Sequence, residues 1–312
     1  MNLSFFSKII DNYGDAGFTI RLATAMYKKL NPENITIYTD YKDLFYKLIP
    51  ETQIMIKDIG DYDEKHDFVF FMFQCTPDDY ILKKIEKSSK KAFIIDYFTP
   101  EKWAGDANNT TGFINGLSIP VEFIVPGLHK KSGGVLDYPL NKKINKTTNN
   151  IYLYSPEKII DVIQKGTIWS FRKETHLKKM PFLPQKDFDS YIHGAKYNWI
   201  RGEDSFQVAL NSGIPFFWEA YKQKDYIHHL KVKAFLDFMS TFFNDIKMKN
   251  DYFKIINYLN DIETIEIMEL KSIYKNFEDN YSELRNVFES IKTHFQNKTN
   301  LQDFLIKKVT FL

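Results

Sequence analysis

Two stretches of this chain carry residue types able to do chemistry, at spacings that would let them. The first is Arg201-Gly202-Glu203-Asp204-Ser205-Phe206, which follows the apolar run Tyr197-Asn198-Trp199-Ile200 and opens a helical spacing of Phe206, Ala209 and Leu210. A strand that runs into a helix N-terminus presents unbonded N–H groups and the positive end of a dipole, a ready site for a phosphate or diphosphate. Arg201 adds a bidentate charge and Ser205 a hydroxyl. Glu203 does not fit an anion site and must point elsewhere. A plain N-terminal cap also fits the hexapeptide, with Asp204 or Ser205 capping and Glu203 complementing the dipole. The second stretch is Asp11-Asn12-Tyr13-Gly14-Asp15-Ala16-Gly17. It lacks the full G-x-G-x-x-G of a dinucleotide site, and acids stand where a phosphate-friendly turn would be. Asp11 bonding its own turn and Asp15 capping the following helix is the structural alternative.

The elements around these stretches place both at strand ends. Leu3 to Ile10 is apolar and β-prone, and Phe18 to Leu30 carries Ile20, Ala23, Met26 and Leu30 at helical spacing. Strand, glycine-containing turn and helix open a Rossmann-like sheet, whose ligands sit at the carboxyl ends of strands. Further strands are predicted at 35–39, 53–57, 68–73 and 92–96, alternating with helical segments, so the chain is α/β with a parallel sheet. The glycines of Val125-Pro126-Gly127-Leu128-His129-Lys130-Lys131-Ser132-Gly133-Gly134 would let backbone approach a ligand, and an ordinary turn fits them equally. Asp137 to Asn150 is polar and rich in Lys and Asn, and reads as an interdomain linker. A second alternating set follows from Ile151-Tyr152-Leu153-Tyr154. It has strands predicted at 181–183, 197–200 and 214–218, and helices at 186–193, 205–211 and 226–244. From 251 to 312 the pattern is helical.

Composition narrows the function classes. The 312 residues allow two domains. A net charge of +2 gives no footprint for nucleic acid or for an anionic membrane surface. No apolar run reaches the roughly 20 residues of a spanning helix, and Met1 to Ile10 does not read as a signal peptide. The single cysteine, Cys75, excludes an intrachain disulfide and a cysteine-based zinc site, so a cytoplasmic location is expected. The seven histidines show no metal spacing, and His228-His229, being adjacent, point to different helix faces.

Taken in order, the motifs resemble a known family. Asp11-Asn12-Tyr13-Gly14-Asp15-Ala16-Gly17 with Arg21-Leu22-Ala23 resembles the D-N-[FY]-G-D-x-G…R-L-A opening of the elongation factor P arginine rhamnosyltransferases (EarP). Pro126-Gly127…Ser132-Gly133-Gly134-Val135-Leu136 is similar to that family's P-G-F…T-G-G-L-L. Met180-Pro181-Phe182-Leu183-Pro184-Gln185-Lys186-Asp187-Phe188-Asp189, the Arg201–Phe206 hexapeptide and Pro215-Phe216-Phe217-Trp218…Tyr221 resemble its C-terminal core in order and spacing. The likeness runs to about Leu236. Phe71-Met72-Phe73-Gln74-Cys75 departs from the family's E-A-F-x-C, Asp96 to Trp103 from its L-E-Y-L-S-A-E-x-W, and 104–115 shows no match; these departures bear on acceptor contacts.

The resemblance implies the GT-B architecture: two Rossmann-like domains facing across a cleft, 1–148 on the acceptor side and 149–297 binding the nucleotide sugar, with a C-terminal helix at about 298–312 returning to the first. It implies an inverting, metal-independent transfer of rhamnose from dTDP-β-L-rhamnose to one arginine of elongation factor P, which activates that factor for polyproline-stalled ribosomes. No cofactor and no metal are expected. The triplets Asp61-Tyr62-Asp63 and Asp187-Phe188-Asp189, a metal-holding pattern in many glycosyltransferases, read here as solvated faces. By resemblance Asp15 is the base, Glu203 orients the arginine and Asp11 supports them. Arg201, Asp204 and Ser205 take the diphosphate, and Gln185 reads the thymine edge. Phe182, Phe188, Tyr221, Tyr152 and Tyr154 wall the donor, with Tyr13, Gly14 and Gly17 contributing from the first domain. The rivals are a GT-B transferase with another donor or acceptor, and a non-catalytic module that binds elongation factor P. The second would be expected to lose the acids, and all three are present.

Overall fold

The computed structural model describes residues 1–10, 12–62, 66–137, 147–169 and 172–310. The chain divides into two compact units, Met1–Tyr138 with Thr299–Leu312, and Pro139–Lys298.

In the first unit the elements run β1 (Asn2–Ser7), α1 (Asn12–Leu30), β2 (Asn34–Thr39), α2 (Lys42–Leu48), β3 (Met55–Asp58), β4 (Phe68–Met72), α3 (Asp79–Ser88), β5 (Lys91–Ile95), α4 (Trp103–Ala107), β6 (Thr110–Ile114) and β7 (Leu117–Ile124). They build a seven-stranded sheet in the order β3-β2-β1-β4-β5-β7-β6, parallel except for β6 against β7. Parallel strands covered on both faces lose the in–out alternation and read as continuous apolar runs. Phe68-Val69-Phe70-Phe71-Met72 of β4 is buried at every position. Its odd and even residues feed two cores: Phe5, Phe70 and Phe93 stack at 4.7 and 5.1 Å on one face, while Phe6, Tyr38 and Phe71 pack on the other.

The second unit runs β8 (Thr147–Ile151), β9 (Thr167–Ile168), β10 (Lys178–Lys179), α5 (Gln185–Gly194), β11 (Ala195–Arg201), α6 (Asp204–Ser212), β12 (Phe216–Glu219), α7 (His228–Met239), α8 (Ile246–Leu259), α9 (Ile267–Asp279) and α10 (Tyr281–Gln296). Its parallel sheet has the order β10-β9-β8-β11-β12. The last helix, α11 (Leu301–Thr310), belongs to the first unit, as the expected return of the C-terminus requires. Leu301, Leu305 and Val309 enter the core beneath α1, each worth about 1.5–3 kcal/mol when fully buried. Lys29 pairs with Asp303 at 2.6 Å on the rim.

Several local expectations change. Gly134 (φ +87°) does bring backbone close to something, but the neighbour is the chain itself: a Cβ there would stand 2.7 Å from the Thr299 carbonyl. Leu301 N–H then bonds the Val135 carbonyl at 3.0 Å. The strand predicted at 181–183 is absent, because Pro181 and Pro184 cannot donate to a ladder. The helix predicted from 226 starts at His228, since Asp225 and Tyr226 take left-handed φ of 54° and 57°. The stretch read as linker already contains β8 from Thr147. Its asparagines find partners inside: Asn150 Nδ2 donates to Asn198 at 2.8 Å, while its Oδ1 has no partner among the described residues, and the Trp199 indole donates to Asn149 at 2.9 Å. The rest of that stretch, 138–146, lies outside the described residues.

Candidate active site

In the second sheet the chain leaves β8 toward β9 and β10, then returns to lay β11 on the other side of β8. That reversal is a topological switch point, where open α/β sheets bind ligands beyond the strands' carboxyl ends. The residues there come from the β8 exit loop, the β11–α6 turn and the end of β12.

Arg201 is the last residue of β11. Its guanidinium lies between two tyrosine rings of the β8 exit loop, 4.3 Å from the centroid of Tyr152 and 4.5 Å from that of Tyr154. It also donates to the Leu153 carbonyl (3.4 Å) and to the Tyr152 hydroxyl (3.2 Å). A planar, weakly hydrated cation suits this slot, and an ammonium would fill it poorly. The turn that follows is fixed from both sides. Gly202 adopts φ +65°, its N–H donates to the Glu219 carbonyl at 3.1 Å, and its own carbonyl accepts from the Trp218 indole at 2.8 Å. α6 then begins at Asp204, with Ser205 and Phe206 buried in its first turn.

Glu203 occupies the cap position of α6, yet its side chain makes no cap bond. The carboxylate turns away, and its Oε1 lies 3.1 Å from Lys231 Nζ on α7. Glu203 is thus not itself the capping side chain, and its carboxylate still stands at the positive end of the α6 dipole. Neither Lys231 nor Glu219 was singled out by sequence. Glu219 ends β12 with 0% exposure, and its Oε2 accepts from the N–H groups of Tyr154 (2.7 Å) and Ser155 (3.0 Å). Oε1 has no hydrogen-bond partner among the described residues. Burial is the leading cause that pushes this carboxyl above the ordinary range, against the downward pull of those backbone bonds. Glu219 thus ties the tyrosine-bearing loop to the strand beside Arg201. Its only sequence signal was position: an acid closing an otherwise apolar strand.

The aromatic candidates are joined in one run of contacts. Phe188 on α5 meets Tyr152 edge-on at 5.1 Å and Trp169 at 5.6 Å, and Tyr221 meets Tyr154 edge-on at 6.1 Å while staying 48% exposed. Trp169 was missed, because an isolated aromatic near a two-residue strand carries no periodic signal. Gln185, 5% exposed, is the first residue of α5, one turn before Phe188. Phe182 is exposed ahead of that helix. Asp187 and Asp189 lie in α5 itself, with Asp189 buried.

The first sheet has its own switch point, between β1 and β4. Asp15 stands there in the first turn of α1, 1% exposed, and its Oδ2 accepts from the Ile10 N–H at 2.8 Å. Its carbonyl accepts from the Thr19 hydroxyl, which lies 3.0 Å from the Ser7 hydroxyl at the end of β1. Tyr13 is exposed, Gly14 half-buried and Gly17 buried, all in α1. Asp11 lies outside the described residues, as does Asp63 of the first D-x-D triplet. At the end of β4, Phe73 and Gln74 take φ of 53° and 60°, with Phe73 stacked on Tyr97 at 4.3 Å and touching Phe18, one turn beyond Asp15. Burial pushes the neighbouring Cys75 thiol up to about 11, which makes it a poor nucleophile. Among the described residues no group of three or more His, Cys, Asp or Glu converges as a metal site, and no helix is long and apolar enough to cross a membrane.

A family model described as elongation factor P rhamnosyltransferase EarP matches residues 3–151 and 145–310. The chain belongs to the EarP family. A protein-arginine rhamnosyltransferase of Neisseria meningitidis is 25% identical over 297 residues, covering 74% of this chain and 76% of its own length. Two solved glycosyltransferases share the fold. Spinosyn forosaminyltransferase SpnP has a TM-score of 0.59 at 8% identity, covering 100% of this chain and 99% of its own. SnogD from Streptomyces nogalater has a TM-score of 0.52 at 10% identity, covering 100% of both chains. This EarP member is a glycosyltransferase with the GT-B pair of Rossmann-like units.

Proposed function

We propose that this protein transfers rhamnose from dTDP-β-L-rhamnose to an arginine side chain of elongation factor P, with inversion and without a metal, in the cytoplasm. The observation that carries the reading is the Arg201 slot between Tyr152 and Tyr154, at a switch point and directly before the N-terminus of α6. It offers a fixed cation and a helix dipole to a leaving diphosphate, which would take the place of a metal ion. Gln185, Phe182, Phe188 and Tyr221 are assigned to the thymine, Asp204 and Ser205 to the diphosphate. Tyr13, Gly14 and Gly17 are assigned to donor contacts from the first unit.

The acceptor sets the chemical problem. A guanidinium nitrogen is protonated and delocalised, and removing its proton outright at neutral pH costs about 7–9 kcal/mol. Transfer has the guanidinium nitrogen attack the anomeric carbon opposite the nucleotide. The C–N bond forms as the C–O bond breaks, dTDP leaves with the electron pair, and the nitrogen's proton passes to a carboxylate. Asp15 is assigned as that base, Asp11 as its support and Glu203 as the group that orients the guanidinium.

Incubation with elongation factor P and dTDP-rhamnose, followed by peptide mass spectrometry, should show one deoxyhexose on one arginine. An unmodified acceptor, or a sugar elsewhere, would reject the assignment. Glu203→Gln should keep dTDP affinity and cut turnover by a factor of at least ~100. A purely structural Glu203 predicts lost stability with near-normal turnover in the folded fraction.

A further inference from the structure

The Glu203–Lys231 pair has a consequence for how the acceptor is held. Both side chains are largely withdrawn from solvent, Lys231 at 15% and Glu203 at 14% exposure. Their supports are rigid. Phe235, one turn after Lys231 on α7, meets Phe206 edge-on at 5.0 Å, and Phe206 lies three residues after Glu203 on α6. Phe235 also packs on Trp218 (5.4 Å) and Phe216 (5.9 Å) of β12. The aromatic contact thus fixes α7 against α6, whose cap residue is Glu203. Only Oε1 is engaged; Oε2 makes no hydrogen bond among the described residues.

Resting on the assignment of Glu203 to the acceptor, we propose that Lys231 is a positioning residue: it pins Oε1 of Glu203 and leaves Oε2 as the one oxygen offered to the acceptor guanidinium. The acceptor arginine is then held through a single N–H···O contact on this side, not a two-point fork. Lys231 acts through Glu203 and does not touch the donor.

The test compares Lys231→Met, Lys231→Arg, Glu203→Gln and the Glu203→Gln/Lys231→Met double variant, with folding checked by thermal melts. Lys231→Met should lower kcat about 10- to 100-fold, the scale of a misplaced reacting group. Its dTDP affinity should stay within about twofold, and Lys231→Arg should recover much of the loss. The double variant should turn over no more slowly than Glu203→Gln alone, because the two act as one unit. Three results would overturn the proposal: a dTDP affinity weakened about tenfold in Lys231→Met, which would make the lysine a phosphate ligand; losses that multiply in the double variant; or wild-type turnover in folded Lys231→Met. A slow Glu203→Gln with a fast Lys231→Met removes Lys231 alone. A fast Glu203→Gln removes the role of Glu203 and the pair with it.

Discussion

Replacing Arg201 by lysine isolates what the guanidinium does from what a positive charge does. A guanidinium has five N–H donors. Two are occupied by the Leu153 carbonyl and the Tyr152 hydroxyl, which leaves three for a ligand. Lysine keeps the charge but loses the plane that lies 4.3 and 4.5 Å from the two tyrosine rings. Each such contact is worth about 0.5–1 kcal/mol where solvent reaches it. A charge-assisted hydrogen bond to a phosphate oxygen contributes about 1.5–3 kcal/mol, and a mobile ammonium recovers part of that. The ring contacts exist without ligand and so cost stability, not affinity; the unrecovered phosphate bonding is a loss of about 1.4–2.8 kcal/mol, or a 10- to 100-fold weaker dTDP Kd. Calorimetry with dTDP at fixed ionic strength reads it directly, and thymidine is the control. Thymidine lacks the diphosphate, so its affinity should not change. Wild-type dTDP affinity in a folded Arg201→Lys protein would refute the diphosphate assignment. Equal losses for dTDP and thymidine would show that the tyrosine loop had collapsed instead.

Three further outcomes are expected. Tyr221→Ala should weaken dTDP by about 1–3 kcal/mol, the worth of a base–aromatic stack, with little change in melting temperature because the ring is half exposed; unchanged affinity by calorimetry removes the residue from the site. Rhamnosyl transfer should persist in excess EDTA, since Arg201 and α6 are assigned the charge of the leaving group; loss on chelation with recovery in magnesium or manganese would reverse this. Burial holds the Glu219 carboxyl up, so the folded state binds its proton more tightly than the unfolded chain does. The resulting stability is present below the ordinary carboxylate range and is lost as pH rises through the folded value. Glu219→Gln keeps an acceptor for the Tyr154 and Ser155 N–H groups and cannot ionise. The melting temperature of the variant relative to wild type should therefore climb with pH above that range, and a pH-independent difference would mean the carboxyl is not buried neutral.

How far the fold was legible depended on whether a segment's polarity matched its burial. Strands 35–39, 68–73 and 92–96 announced themselves because parallel strands covered on both faces are largely apolar, whereas 53–57 is an edge strand with Met55 and Asp58 exposed; each of the four was displaced by at most two residues at either end. β8 was hidden in the supposed linker because Asn149 and Asn150 are polar by sequence and meet Trp199 and Asn198 only after folding. Pro181 and Pro184 bracket an apolar pair that imitates a strand but cannot pair as one. The hairpin of β6 and β7 escaped notice because its outer strand is largely exposed and carries no hydrophobic pattern.

The site was legible in a different way, through residues adjacent in sequence, and it failed where partners came from afar. Arg201, Gly202 and the start of α6 are consecutive, so strand, turn and helix dipole were readable together. Tyr152 and Tyr154 lie about fifty positions upstream, and only the switch point between β8 and β11 puts their rings on Arg201. Glu203 shows the limit most clearly. From sequence it had two readings, a cap or a chemical group, because its neighbours defined a helix start and nothing more. The fold adds two facts: no cap bond, and a lysine on α7 at 3.1 Å, brought there by the packing of Phe235 on Phe206. A carboxylate that pairs across two helices is placed by tertiary packing as well as by the helix start. That inference needs α7's position, which no spacing within Arg201–Phe206 could encode.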